Sequence, residues 1–153
     1  MSFLNKSFAS SLSDADIAAA EKAIGSMPAD LIAFYRQQNG GIPDRTLFTT
    51  DAGDDYSLDY MFPIPESGLE PAGQNIVKVN KALKQESLIP DDHLVFGSDP
   101  GGNYFSVARA DGAVWYHPMD VWEEDRSPEE NQSETMERLS GSFPAFMDGL
   151  TED

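Results

Sequence analysis

The chain has 153 residues, 40% of them hydrophobic, with nine Phe, five Tyr and two Trp, enough to pack one domain and too apolar for disorder throughout. It sets 10 Lys and Arg against 27 Asp and Glu, a formal net charge of −17, which disfavours nucleic acid and anionic membrane surfaces because their phosphates would be repelled. Cysteine is absent, which excludes disulfides, Cys-ligated zinc and thiol catalysis.

The start, Met1-Ser2-Phe3-Leu4-Asn5-Lys6, lacks a continuous apolar stretch and reads poorly as a secretory signal. No apolar run approaches the roughly 20 residues that span a bilayer, so the chain is read as cytoplasmic. A first helix is predicted from Ser13, where Ser13-Asp14-Ala15-Asp16 resembles a capping box. Ile17, Ala20 and Ile24 follow at helical spacing, and Gly25 stops the helix. A second helix is predicted from Pro28 at its first position, with Leu31, Ile32, Phe34 and Tyr35 packed, ending at Asn39-Gly40-Gly41.

Residues 42–70 read as irregular, with one or two short strands. Thr46 to Thr50 is β-prone, Asp51 to Asp55 is a turn, and Tyr56, Leu58, Tyr60 and Phe62 alternate as in a half-buried strand. A third helix is predicted over about Ala72 to Gln85, with Ile76, Val79 and Leu83 inward. Residues 93–117 hold three β-prone runs separated by loops rich in Gly, Asp and Asn, a meander of antiparallel strands. Glu123 to Glu137 is dominated by acidic and polar residues and reads as at least partly solvated. Phe143, Phe146, Met147 and Leu150 then fall on one helical face behind a Ser142 cap. The result is a single α+β domain over residues 1–153, an antiparallel meander sheet packed with N-terminal and C-terminal helices.

Three of these pieces occur in a recognisable order. They are Met27-Pro28-Ala29-Asp30-Leu31 through Phe34-Tyr35 to Asn39-Gly40-Gly41, then Phe96-Gly97-Ser98-Asp99-Pro100-Gly101-Gly102-Asn103-Tyr104-Phe105 with Asp111-Gly112-Ala113-Val114-Trp115-Tyr116, and Ser140 to Leu150. Together they resemble the SUKH superfamily over residues 26–150. That resemblance implies a compact antiparallel sheet with packed helices. It also implies a role like that of the family's bacterial immunity proteins, which bind and neutralise toxins, many of them nucleases, or of its fungal cell-wall assembly regulators. The acid-rich stretch 117–137 departs from the family's pattern, where variation would accompany choice of partner.

Chemical motifs are few. The Gly97 to Asn103 loop lacks the Lys-Ser/Thr of a P-loop and the spacing of a dinucleotide fingerprint, and it joins two strands, so it reads as a turn. Gly97-Ser98-Asp99 does not form a nucleophile elbow. His93, after Asp91 and Asp92, and His117, three before Asp120, could each join a metal site, but neither has a helical His or Cys companion, and both read as incidental. Asp51, Asp54 and Asp55 could hold Ca²⁺ loosely; the EF-hand register and its terminal Glu are missing, and a solvated loop is the simpler reading. Asn5-Lys6-Ser7 and Asn131-Gln132-Ser133 match glycosylation sequons by chance. No nucleophile–base pair, metal or cofactor motif survives, so a non-enzymatic protein with no cofactor is expected.

The charge is uneven. Up to residue 45 the net is −1, and from Thr46 onward it is −16. Residues 51–70 carry −6 with no basic residue, and residues 120–153 carry −9. Such tracts are often merely a solvated face. Folding gains nothing from their self-repulsion, however, whereas a cationic partner gains attraction and a faster encounter. Trp115, Tyr116 and Tyr104 read as sheet packing, while Trp122 stands among carboxylates as an anchor for an Arg- or Lys-rich surface. The expected partner is therefore a basic protein, and the resemblance implies a toxin domain. The expected contact residues are Asp51, Asp54, Asp55, Asp59, Trp122, Glu123, Glu124 and Asp125. The alternative is a regulatory scaffold docking cellular proteins.

Overall fold

Ser13 closes the capping box at the head of α1 (Asp14–Ile24): its hydroxyl accepts from the Asp16 amide at 3.1 Å, and the Asp16 carboxylate accepts from the Ser13 amide at 3.0 Å. The computed structural model describes residues 11–66 and 74–153. Helix α2 (Ala29–Gln37) begins one residue later than predicted, with Pro28 as its N-cap. Beyond its end Gly40 adopts φ +77°, and a Cβ there would stand 2.6 Å from the Met61 carbonyl oxygen, so this turn requires glycine.

Strands β1 (Leu47–Thr49) and β2 (Asp55–Ser57) form a separate antiparallel hairpin around the predicted turn. The single strand predicted over 56–62 is instead divided: β3 (Tyr60–Met61) belongs to the main sheet. Leu58 and Asp59 carry the chain from one sheet to the other, which breaks the alternation that the sequence suggested.

Helix α3 (Ile76–Gln85) starts behind Asn75, whose side chain accepts from the amides of Val77 and Lys78. The predicted start at Ala72 lies outside the described residues. The meander follows as β4 (His93–Ser98), β5 (Tyr104–Ala108) and β6 (Val114–His117), as predicted.

The acidic stretch read as at least partly solvated holds a further helix, α4 (Pro128–Thr135), and leads into a further strand, β7 (Glu137–Ser140). Helix α4 has no apolar stripe, and β7 is an edge strand whose one apolar residue is Leu139, so neither shows a hydrophobic period. Helix α5 (Phe143–Asp148) closes the fold behind its Ser142 cap.

The main sheet runs β3-β4-β5-β6-β7, antiparallel throughout. Strand side chains alternate between its faces. On one face Phe105 and Phe96 meet Phe146 and Phe143 of α5, with Phe96 and Phe143 edge to face at 5.2 Å. Burying each such ring contributes about 1.5–3 kcal/mol. On the other face lie Tyr104 and Ser106, toward α3.

Three buried asparagines tie the sheet and its flanking segments together through the backbone. Each grips both backbone groups of one residue: Asn39 holds Ile64, Asn80 holds Val95, and Asn131 holds Glu123. Asn131 explains how a polar helix like α4 is fixed. Among the described residues no helix is long and apolar enough to cross a membrane.

Candidate protein-binding surface

The β1–β2 hairpin is anchored on the α5 side of the sheet. Phe48 packs on Phe146 at 4.8 Å, and the amides of Thr46 and Leu47 donate to the Thr151 carbonyl. From there Tyr56 reaches Tyr116 of β6, which shares a face with Phe105, its cross-strand partner. The two tyrosine rings lie 4.8 Å apart, both half-buried.

Each hydroxyl donates to a carboxylate. Tyr56 donates to Glu137 of β7, and Tyr116 donates to Asp99 at 2.5 Å. Burial, the bond to Glu137 and the fields of Glu137 and Asp54 push the Tyr56 hydroxyl above its ordinary range. Burial, the bond to Asp99 and the fields of Asp99 and Asp120 do the same to Tyr116, against a small opposing contact from Asn103. Both remain protonated donors at neutral pH. The charged groups acting on the pair, Asp54, Asp99, Asp120 and Glu137, are all acids.

Asp99 organises the β4–β5 loop. Its carboxylate accepts from the Gly101 and Asn103 amides, both at 2.9 Å, from the Asn103 side chain and from Tyr116. Burial works to raise its pKa, but these donors outweigh burial and hold it below the ordinary value. The loop is thus a turn, as predicted. Gly97 belongs to β4, where a Cβ would meet the Leu58 side chain at 2.6 Å.

The sequence-predicted contact residues divide between the two faces. Asp51, Asp54 and Asp55 are exposed on or beside the hairpin, with Asp55 accepting from the Thr49 hydroxyl at 2.6 Å. Asp59 is exposed where the chain crosses to the main sheet, its amide donating to Ser98. Trp122 lies on the opposite, α3 face with Tyr104 and Met119, half-buried rather than projecting. Glu123 is drawn to Arg126, which also binds Glu134, so part of this tract neutralises itself. Glu124 and Asp125 are exposed.

The structure adds Tyr56, Tyr116, Asp99, Asp120 and Glu137 to the acidic surface. The only local signal for them was Asp99 in a Gly/Asn-rich turn; the tyrosine contact joins residues 60 apart in sequence. The histidines form a buried chain instead of a metal site. Ser106 Oγ lies 2.8 Å from His93 Nδ1 and 2.7 Å from His117 Nε2. Burial, then the neighbouring His93, lowers the His117 pKa to about 3. Burial lowers His93 as well, against the opposing fields of Asp92 and Asp111. Among the described residues no group of three or more His, Cys, Asp or Glu could hold a metal ion.

The family model described as the SMI1 / KNR4 family (SUKH-1) matches residues 11–149, from the residues before α1 to the end of α5. The chain belongs to the SMI1/KNR4 family (SUKH-1). Among the described residues of this SUKH-1 chain, the five helices and seven strands all fall inside the match. No curated protein matches the sequence. Membership in SUKH-1 is compatible with either an immunity or a regulatory role, and the surface chemistry bears on which one.

Proposed function

We propose that this SUKH-1 protein is a non-catalytic immunity-type protein that binds a basic toxin domain, nuclease-like in having a cationic groove, and occludes it. The observation that carries this reading is the Tyr56–Tyr116 pair, bonded to Glu137 and Asp99 and lying in the fields of Asp54 and Asp120. Carboxylates spread over a surface repel one another, and a partner's Arg and Lys side chains relieve that repulsion. Half-buried tyrosine rings beside them offer cation–π contact to the same guanidinium groups. A row of carboxylates also presents the charge pattern that a nuclease groove is built to receive from phosphates.

Asp51, Asp54, Asp55 and Asp59 extend this surface along the hairpin side. Glu124 and Asp125 carry negative charge around the other side, and Trp122 is better placed for a different contact. The test is capture from a lysate of the source cells on the immobilised full chain, at low and at high salt. A basic protein retained at low salt and released at high salt, with its enzymatic activity blocked in the complex, supports the reading. Absence of any cationic partner at either salt contradicts it, and a partner bound with its activity intact favours the regulatory-scaffold role instead.

A further inference from the structure

On the sheet face opposite the tyrosine pair, α3 forms one wall of an open groove. Ala82, Leu83 and Leu88 face Tyr104, Met119 and Trp122 across a space of about 420 Å³. A second hollow of about 250 Å³ shares Ala82, Leu83 and Tyr104 and continues the groove past Lys78. Glu86 stands at the other end. Eight residue steps along α3 lead from Lys78 to its C-cap Glu86, about 12 Å at 1.5 Å per residue, so an apolar trough runs between a cation and an anion.

The charge of α3 is exceptional in this molecule. It carries Lys78, Lys81 and Lys84 and no acid, and is the only helix among the described residues with a net positive charge. Lys78 and Lys81 have no ion-pair partner among the described residues. Trp122 adds an independent signal. Its Nε1–H is covered and has no acceptor, the one such buried side-chain atom among the described residues. Buried donors are rarely left so. The indole forfeits no hydrogen bond by turning outward, and it gains one when an acceptor arrives.

We infer that this groove docks a short apolar polypeptide segment of a partner protein. The segment's carboxylate meets Lys78, its basic group meets Glu86, and, once the indole turns outward, one of its backbone carbonyls accepts from Trp122 Nε1. The two end charges fix the direction in which the segment lies, and the apolar walls take its large side chains. The groove is on the other face from the acidic surface, so the inference stands whether or not a toxin binds there.

A displayed library of random twelve-residue peptides, panned on the full chain, tests it. The enriched peptides should hold large apolar residues with an acid at one end. Ala82→Arg plugs the groove at an exposed helix position, where circular dichroism can verify folding; it should weaken the enriched peptides by about tenfold or more, and Lys78→Glu by several-fold. In a Trp115→Phe background, Trp122 is the sole indole, and its emission should shift on binding. Failure to enrich any peptide, or enriched peptides that bind Ala82→Arg as tightly as the parent, would overturn the inference. Neither outcome alters capture of a basic protein on the acidic face.

Discussion

Tyr56 and Tyr116 meet with ring centroids 4.8 Å apart although they come from different sheets, and each hydroxyl donates a hydrogen bond to a different carboxylate. This contact fastens the hairpin to the main sheet. It also brings acids from both charged tracts, Asp54 from the first and Asp120 and Glu137 from the second, into one neighbourhood.

Replacing Tyr56 separates its two contributions. Tyr56→Phe keeps the ring and leaves Glu137 to water, so the stability loss should be small, about 0.5–1.5 kcal/mol. Tyr56→Ala also removes the ring contact, and amide exchange in β2 should accelerate well beyond the Phe variant. Equal exchange in the two variants would show that the ring does not hold the hairpin.

Asp99 predicts a loss of stability in acid. Its folded-state pKa lies below the ordinary value, so its contribution is complete above the unfolded pKa and disappears as pH falls through the folded one. Asp99→Asn should be less stable than the parent at neutral pH and should narrow that gap below about pH 4. Urea midpoints across this range measure it.

His117 acts in a higher window. Its ring is bound neutral, with a pKa near 3 against 6.5 when unfolded. Between those values the unfolded state holds more protons, so stability rises with pH there and is lost as pH falls from 6.5 toward 3. His93 shifts in the same direction. His117→Leu should be less stable at pH 7, because Ser106 loses a partner, yet its stability should change less between pH 7 and pH 4.5 than that of the parent.

Asn80 gives the sharpest structural prediction. Its side chain donates to the Val95 carbonyl at 2.8 Å and accepts from the Val95 amide at 2.9 Å. The β4 register shifts between Val95 and Gly97. Asn80→Ala leaves two backbone groups unpaired in the core and should cost roughly 2–4 kcal/mol in chemical denaturation. A loss below about 1 kcal/mol would mean that water or relaxation replaces the clamp.

What the sequence reveals here depends on how local the cause is. The Ser13 box, the Ser142 cap and the meander turns act within a few residues, and each is legible. The charge tracts are legible too, but which way they face is not: Trp122 sits in an acidic run and still turns toward α3. Helix α4 is held by Asn131 and strand β7 by its neighbour β6, so neither shows a period of its own. The Tyr56–Tyr116 contact has no local signature because only the assembled sheets bring those rings together.

The most direct test of the acidic surface is titration of the captured basic partner into the parent chain and into Asp54→Asn/Asp55→Asn/Asp120→Asn/Glu137→Gln. At low salt the parent should bind about tenfold or more tightly than the variant, and added salt should close the gap. Equal affinity for the two chains at low salt would contradict the account.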